Sequence, residues 1–590
     1  MTSPTTDPTA ADPADPAGPP PEDAPLLTDR LRHWAAERAA RRAFTQVDFP
    51  EPDSPGVHRT LGWRSLDERA RAVAGLLTRT VRPADRVALL LPQGLDYAVA
   101  FLGCLYAGVV AVPLFGPELP GHAGRLAAVL EDCEPACVLT DGPSRTPVEA
   151  FVGPRIPVLD VREPGAAPPA AELPRPERAD VAYLQYTSGS TRSPSGVMVT
   201  HANIAANARQ AVTAFGAAPG RTTTVGWLPL FHDMGLVLSV AAPVYAGFAS
   251  VLLDPVAFLE RPVRWLRLLG GYPGTIGAAP NFAYDYCVAR VAADEVAGLR
   301  LDRVAALLNG SEPVRPATLE RFRTAFAAAG LAPRAVCPAY GLAEATVFVT
   351  AADPAAPSRP VECDAAALAA GRIEPGGTAR LADCGRPAGQ EVRITDPGTD
   401  ADLGADRVGE ITVRGPNVGA GYWKQPGRTA ATFRGGWLRT GDLGALHEGR
   451  LLVTGRLKDL IVVDGRNHYP QDVEDTVQQA VELVRRDRLA AFLVPGPAGA
   501  DERDGADGGE ELVVVAETRR GAEPDGPAVR EAVGAARGAV AAGHGLRLAA
   551  LVLVPAGAVP RTSSGKVARA ACRARFLAGE LRPFAAEAAR

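Results

Sequence analysis

The chain has 590 residues, of which 47% are apolar and 22% charged, and its formal net charge is −5. That length exceeds what one hydrophobic core serves, so at least two domains are expected, and the balance is that of a globular protein without the basic stripe of a nucleic-acid binder. Its eight cysteines (Cys104, Cys133, Cys137, Cys287, Cys337, Cys363, Cys384, Cys572) form no disulfide framework, and even Cys133 and Cys137 lack the nearby partners of a zinc site, so they read as structural thiols in a reducing compartment.

Residues 1–25 are Pro, Ala, Asp and Thr and read as a disordered tail, with neither the basic start nor the apolar run of a secretory signal. A helix is expected from Ser65, with Glu68 completing a capping box and Leu66, Ala70, Val73 and Leu77 on one face. A strand Val87–Leu91, a helix Tyr97–Tyr106 and an apolar run Val109–Leu114 follow. Strands and helices then alternate to about residue 350, which predicts an α/β protein with largely parallel sheets. The longest uncharged stretch, between Asp233 and Asp254, is broken by Gly235, Pro243 and Gly247, so it predicts a buried helix and strand and no stable membrane insertion. The protein is expected in the cytoplasm. Residues 162–180, 352–383 and 497–510 read as loops. A helix is expected from Pro470, with Val473, Val477, Val481 and Val484 on one side.

One segment carries phosphate chemistry. From Val181 an apolar strand enters the loop Thr187-Ser188-Gly189-Ser190-Thr191-Arg192-Ser193-Pro194-Ser195, and a second strand follows. Hydroxyls and exposed backbone N–H groups suit phosphate oxygens, and glycine lets the main chain approach them. It is not a Walker sequence, because no Gly-Lys-Ser/Thr stands at the required spacing.

This loop resembles that of the adenylate-forming superfamily of acyl-CoA synthetases, luciferases and peptide-synthetase adenylation domains, and further matches follow in order. They are Pro338-Ala339-Tyr340-Gly341-Leu342-Ala343-Glu344, Thr440-Gly441-Asp442, Gly455-Arg456-Leu457-Lys458-Asp459 and Pro560-Arg561-Thr562-Ser563-Ser564-Gly565-Lys566. Within that superfamily, Trp227-Leu228-Pro229-Leu230-Phe231-His232-Asp233-Met234, Pro280-Asn281-Phe282-Ala283-Tyr284, Asn309-Gly310-Ser311-Glu312 and Gly465-Arg466-Asn467-His468-Tyr469-Pro470 resemble the fatty acyl-AMP ligases.

The resemblance implies a large N-terminal adenylation domain of layered sheets and helices, residues 26–457. A small hinged C-terminal α+β domain, 458–590, would pivot at Lys458. It implies ATP and Mg2+ as cofactors, a fatty acid as substrate and an acyl carrier protein on a separate chain as acceptor. Thr187, Ser188, Gly189, Ser190, Thr191, Gly310, Ser311, Glu312, Tyr340, Gly341, Asp442 and Arg456 would bind nucleotide, with the Tyr340 ring on adenine, Asp442 on ribose and Glu344 on magnesium. Lys566 would be the catalytic lysine, bridging carboxylate and α-phosphate. His232 would line the carboxylate's path or pack beside Phe231. Met234, Phe282 and Tyr284 are candidates for the acyl tunnel or for the core. Residues 354–383 match the position of an extra segment thought to hinder domain rotation in this branch. Many relatives carry Lys where this loop has Ser195, and Arg192 with magnesium is the expected replacement charge. An acyl-CoA synthetase, an amino-acid-activating domain and an inactive scaffold stay open as readings of the sequence.

Overall fold

The computed structural model describes residues 24–119, 122–169, 172–187, 194–463, 466–496, 510–522, 524–562 and 565–584. Nearly all of the proposed tail and the 497–510 loop, together with Ser188, Gly189, Ser190, Thr191 and Arg192, lie outside them.

Among the described residues, two large sheets dominate. A six-stranded sheet runs Val158–Asp160, Cys137–Thr140, Arg86–Leu90, Val110–Leu114, Val181–Tyr186, Gly196–Thr200, and only its last pair is antiparallel. A nine-stranded sheet has the parallel centre Val336–Gly341, Val304–Asn309, Thr275–Ala279, Thr223–Gly226, Ala249–Leu253, Arg42–Asp48, with antiparallel strands added at both edges. The parallel α/β expectation holds for both sheets. Helix Leu95–Ala107 is buried along almost its whole circumference, as an apolar helix between layers must be. Helices Trp63–Thr80 and His201–Ala214 and the segment Val237–Ala246 share its core.

A five-stranded antiparallel sheet (Glu391–Thr395, Gly409–Arg414, Phe433–Arg434, Trp437–His447, Arg450–Arg456) follows. The chain ends in a three-stranded sheet, Val484–Pro495, Glu510–Thr518 and Leu548–Val554, with a core on each face. Alternation along Leu489–Val494 sends Leu489 and Ala491 to helices Pro470–Ala480 and Gly526–His544, and Ala490, Phe492 and Val494 to the opposite core with Cys572.

Four expectations need correction. The early helix spans Trp63–Thr80 and is preceded by Gly62, because strand Val57–Gly62 feeds it directly. Trp63 N and Arg64 N then donate to Arg41 O and Ala39 O, which leaves Ser65 inside the first turn with no capping role. Residues 352–383 are more than a loop: strands Val361–Cys363 and Ala379–Leu381 pair around helix Ala365–Ala369. Cys363, Leu368 and Ile373 pack there with Leu443, Leu452 and Tyr469, burial that an Ala- and Pro-rich sequence does not announce. The helix from Pro470 stops at Ala480; Val481 follows it and Val484 opens a strand, although both stay in the core. Tyr284 lies in the core, as described below. All eight cysteines are buried and unpaired, and no described helix is long and apolar enough to cross a membrane.

Candidate active site

The C-terminal ends of the central parallel strands carry most of the candidate residues, as open α/β sheets arrange ligand sites. Strand Val336–Gly341 ends in Tyr340 and Gly341, and the next turn carries Glu344. Gly341 is obligatory, since a Cβ there would lie 1.7 Å from Val347 O. Thr346 closes this turn at φ 66°, a strained value for a β-branched residue, held by its hydroxyl donating to Asn417 O at 2.7 Å. The Tyr422 hydroxyl donates to Glu344 Oε1 at 2.7 Å and fixes that carboxylate.

Asp442 lies opposite Arg456 in the antiparallel pair Trp437–His447 and Arg450–Arg456. Register alone brings the two together, and Arg456 Nε donates to Asp442 Oδ1 at 3.1 Å. The Tyr340 hydroxyl donates to the other oxygen, Oδ2, at 2.9 Å. Behind them, the buried Glu410 accepts from Gly441 N at 2.9 Å and from Arg439 at 2.6 Å, which fixes the turn that presents Asp442.

The neighbouring strand Val304–Asn309 delivers Gly310, Ser311 and Glu312. Asn281 is their hub. Its N–H donates to Glu312 Oε1 at 3.0 Å and its amide to Pro313 O at 2.9 Å, while its carbonyl accepts from Asn309 at 3.0 Å and from Arg315 N at 3.2 Å. Burial pushes the Glu312 carboxyl up, against the pull of Arg315 and Lys566.

His232 precedes the short helix Asp233–Leu236, with its ring 4.6 Å from that of Phe231. Gly235 is forced here too, because a Cβ would sit 2.1 Å from Pro229 O. Gln185 of the strand leading to the phosphate loop donates to Phe231 O at 2.9 Å, which ties this segment to that strand. Asp233 is pushed up by burial and held back by Met234 N and by Lys566. The Met234 sulfur accepts from the Ser311 hydroxyl at 3.8 Å.

Lys566 reaches this cluster from the far end of the chain. Its hairpin closes through Thr562 N donating to Lys566 O at 2.8 Å and Gly565 N to Thr562 O at 2.9 Å. Burial and, next, Arg456 hold its ammonium below the ordinary lysine range, while Glu312, Asp233 and Asp442 pull the other way. A cavity of about 120 Å³ opens between Phe282, Ser311, Glu312, Arg456 and Lys566. The C-terminal unit is clasped beside it by Arg315, which meets Asp487 directly and Asp475 at 3.6 Å, and by Gln471 donating to Thr454 O at 2.6 Å. Lys458, in the turn after Arg456, is pushed down by burial.

Lys566, Glu312, Ser311, Met234, Phe282, Arg456, Asp442 and Tyr340 thus converge through shared contacts, and Glu344 acts electrostatically on Asp233. Thr187 stands at the loop entrance, its N–H donating to Ser195 O at 3.2 Å. Tyr284 does not join them: fully buried, it donates to Leu308 O at 2.8 Å and packs edge-on against Phe322 and Trp265. Asn281, Asp233, Glu410, Tyr422 and Arg315 carry the geometry yet were not singled out by sequence. Asn281 and Asp233 lay inside recognised segments, and a polar residue within an otherwise apolar motif is the signal that marks them.

Residues 31–423 match the AMP-binding enzyme family. The chain is 41% identical to the long-chain-fatty-acid–AMP ligase FadD32 of Mycolicibacterium smegmatis, over 95% of each. It also resembles a solved structure from a study of fatty acyl-adenylate ligases of E. coli and L. pneumophila, at 32% identity and TM-score 0.84, covering 95% of this chain and 99% of that one. A fatty acyl-adenylate ligase from L. pneumophila, solved with acyl adenylate and pyrophosphate, matches at 34% identity and TM-score 0.69, over 95% and 97%.

Proposed function

We propose, for a chain that belongs to the AMP-binding enzyme family and to its fatty acyl-AMP ligase branch, that it activates a fatty acid as an acyl-adenylate and passes the acyl group to the phosphopantetheine thiol of a carrier protein. The observation that carries this reading is the meeting of Lys566, Glu312 and Arg456 at one cavity, with Asp233 and Asp442 near enough to act on the Lys566 ammonium.

ATP would lie with adenine against Tyr340, its ribose hydroxyls on Asp442 and its phosphates toward the loop after Thr187. The substrate carboxylate attacks the α-phosphorus in line; the new P–O bond forms as the bond to pyrophosphate breaks. Negative charge crowds at the α-phosphate, and the Lys566 ammonium is a fixed cation for it in a partly desolvated site. Arg456 orients Asp442, and Asn281 orients Glu312. A single hard carboxylate, Glu344, suits magnesium that takes its other oxygens from phosphate and water. Magnesium, when bound, offsets phosphate charge. In the second half-reaction the thiolate attacks the acyl carbonyl and AMP leaves.

Phe282, at the cavity beside Lys566, and Met234, whose sulfur accepts from the cavity-lining Ser311 hydroxyl, are the residues proposed to meet the acid. The separate cores of the final three-stranded sheet support a small unit from about residue 458 that pivots at Lys458. Packing of residues 361–381 against Tyr469 supports restrained rotation of that unit, which disfavours free CoA as acceptor. Buried unpaired thiols fit a cytoplasmic setting.

The test is a product assay with ATP, magnesium and a ladder of fatty acids, offering CoA and phosphopantetheinylated carrier separately. Acyl-AMP that passes to the carrier and not to CoA is the expected result. Efficient acyl-CoA formation would reassign the acceptor, and absence of acyl-AMP with every acid would end the ligase reading.

A further inference from the structure

The loop between Thr187 and Ser195 has no lysine, yet a cation reaches it from more than two hundred residues away. Arg428, on the short helix Pro426–Thr432, donates through Nη1 to the hydroxyl of Ser195, which is only 4% exposed. Its guanidinium carbon lies 4.1 Å from the centroid of the Tyr422 ring, and that tyrosine's hydroxyl holds Glu344. The segment is fastened to the foot of the loop by further bonds: Gln425 Nε2 donates to Pro194 O at 2.9 Å, and Trp423 N to Gly196 O at 2.8 Å. Arg428 also donates to the Gln425 carbonyl at 3.4 Å, and among the described residues no carboxylate forms an ion pair with it.

A surface arginine normally finds a carboxylate or faces water; this one is turned onto a buried hydroxyl and an aromatic face, so its charge is oriented and left uncompensated. It stands between the exit of the phosphate loop and the carboxylate proposed for magnesium. A polyphosphate lying between those two features would meet it, and a guanidinium offers the forked donors that phosphate oxygens accept.

We propose that Arg428 is a binding residue for the β- and γ-phosphates of ATP and hence for the leaving pyrophosphate, supplying from outside the loop the positive charge that Ser195 cannot. Ser195 aims the guanidinium and Tyr422 supports its face. The assignment rests on the adenylating reading above, but its test does not depend on turnover.

Mg-ATP and AMP binding are measured by calorimetry on the full chain for the wild type, Arg428→Ala, Arg428→Lys and Arg428→Ala combined with Ser195→Lys. AMP lacks the two outer phosphates, so Arg428→Ala should weaken ATP binding about tenfold to a hundredfold, the range of a charged hydrogen bond, and leave AMP within about twofold. Arg428→Lys and the Ser195→Lys combination should each regain most of the ATP affinity. In Arg428→Ala, KM for pyrophosphate in ATP–pyrophosphate exchange should rise while acyl transfer from preformed acyl-AMP stays unchanged. ATP binding within about twofold of wild type in Arg428→Ala, or equal loss of ATP and AMP, would overturn the assignment. A wild-type protein that binds ATP but forms no acyl-AMP would defeat the proposed function while leaving the ATP-against-AMP comparison to decide Arg428.

Discussion

The two ends of the site are held by different forces. At the proposed nucleotide end, Tyr340 stands near the end of strand Val336–Gly341, Glu312 just beyond strand Val304–Asn309 and Asp442 opposite Arg456 in an antiparallel pair. Hydrogen bonds from Asn281 N to Glu312 and from Gly441 N to Glu410 lock them. At the lysine end, Lys566 stands on a hairpin of a unit with its own cores, joined to the rest by the Arg315 ion pairs, a few hydrogen bonds and the Tyr469 contact. Buried, mutually satisfied polar groups are costly to disturb, whereas partly solvated ion pairs are cheap to break and re-form. Such a contrast suits the reading proposed above, in which the nucleotide half is preorganised while Lys566 arrives and leaves.

The strongest way to break the comparison is at the shared core of the large sheets. Phe101, fully buried and 5.7 Å edge-on from Tyr183, should cost about 3–5 kcal/mol as Phe101→Ala. Chemical denaturation should register that loss in the large unit, with the final three-stranded sheet melting as before.

Next comes Lys566→Ala. It should lower adenylation about 10²- to 10³-fold in pyrophosphate exchange, the usual effect of removing a charge-stabilising donor, with little change in melting temperature. The pH dependence carries a sign. With the ammonium held below an ordinary lysine's 10.5, the unfolded chain binds this proton more tightly. Protonated Lys566 therefore costs stability below its folded pKa, and that cost is relieved as pH rises toward 10.5. Adenylation should fall on the alkaline side before 10.5, and a rate profile of Lys566→Ala should lack that limb.

Asn281→Ala strips partners from Pro313 O, Asn309 and Arg315 N while keeping the main-chain bond to Glu312, and should cost about 1–3 kcal/mol by urea titration. The smallest effect belongs to Arg315→Ala. Losing the clasp to Asp487 and Asp475 should open the C-terminal unit about fivefold more often, roughly 1 kcal/mol, read as faster trypsin cleavage near Lys458. Equal resistance in the variant would show that the Tyr469 contact and the hydrogen bond from Gln471 to Thr454 O hold the unit without the Arg315 clasp.

Chemistry with a fixed local form was legible before any fold was known. Lys566, Asp442, Glu344, Tyr340 and the loop after Thr187 each stand in a short motif whose residue types suit the task proposed for them, and the alternation of strands and helices announced the parallel sheets. Boundaries that depend on neighbours were less legible. The helix expected at Ser65 begins at Trp63 because strand Val57–Gly62 runs straight into it and the distant carbonyls of Ala39 and Arg41 accept from its first N–H groups. Residues 361–381 order because Leu443, Leu452 and Tyr469 offer them an apolar surface.

The sequence by itself determined which candidate groups the site contains, since the roles proposed toward phosphate, ribose and metal each call for particular side chains within a short motif. Tertiary structure alone decided which of them meet and what supports them. Tyr284 was drawn into the core by Phe322 and Trp265, Asn281 became the hub of Glu312, and Arg428 was delivered to Ser195 by a helix far along the chain. Those outcomes depend on burial and on pairings between distant segments, which local spacing does not encode.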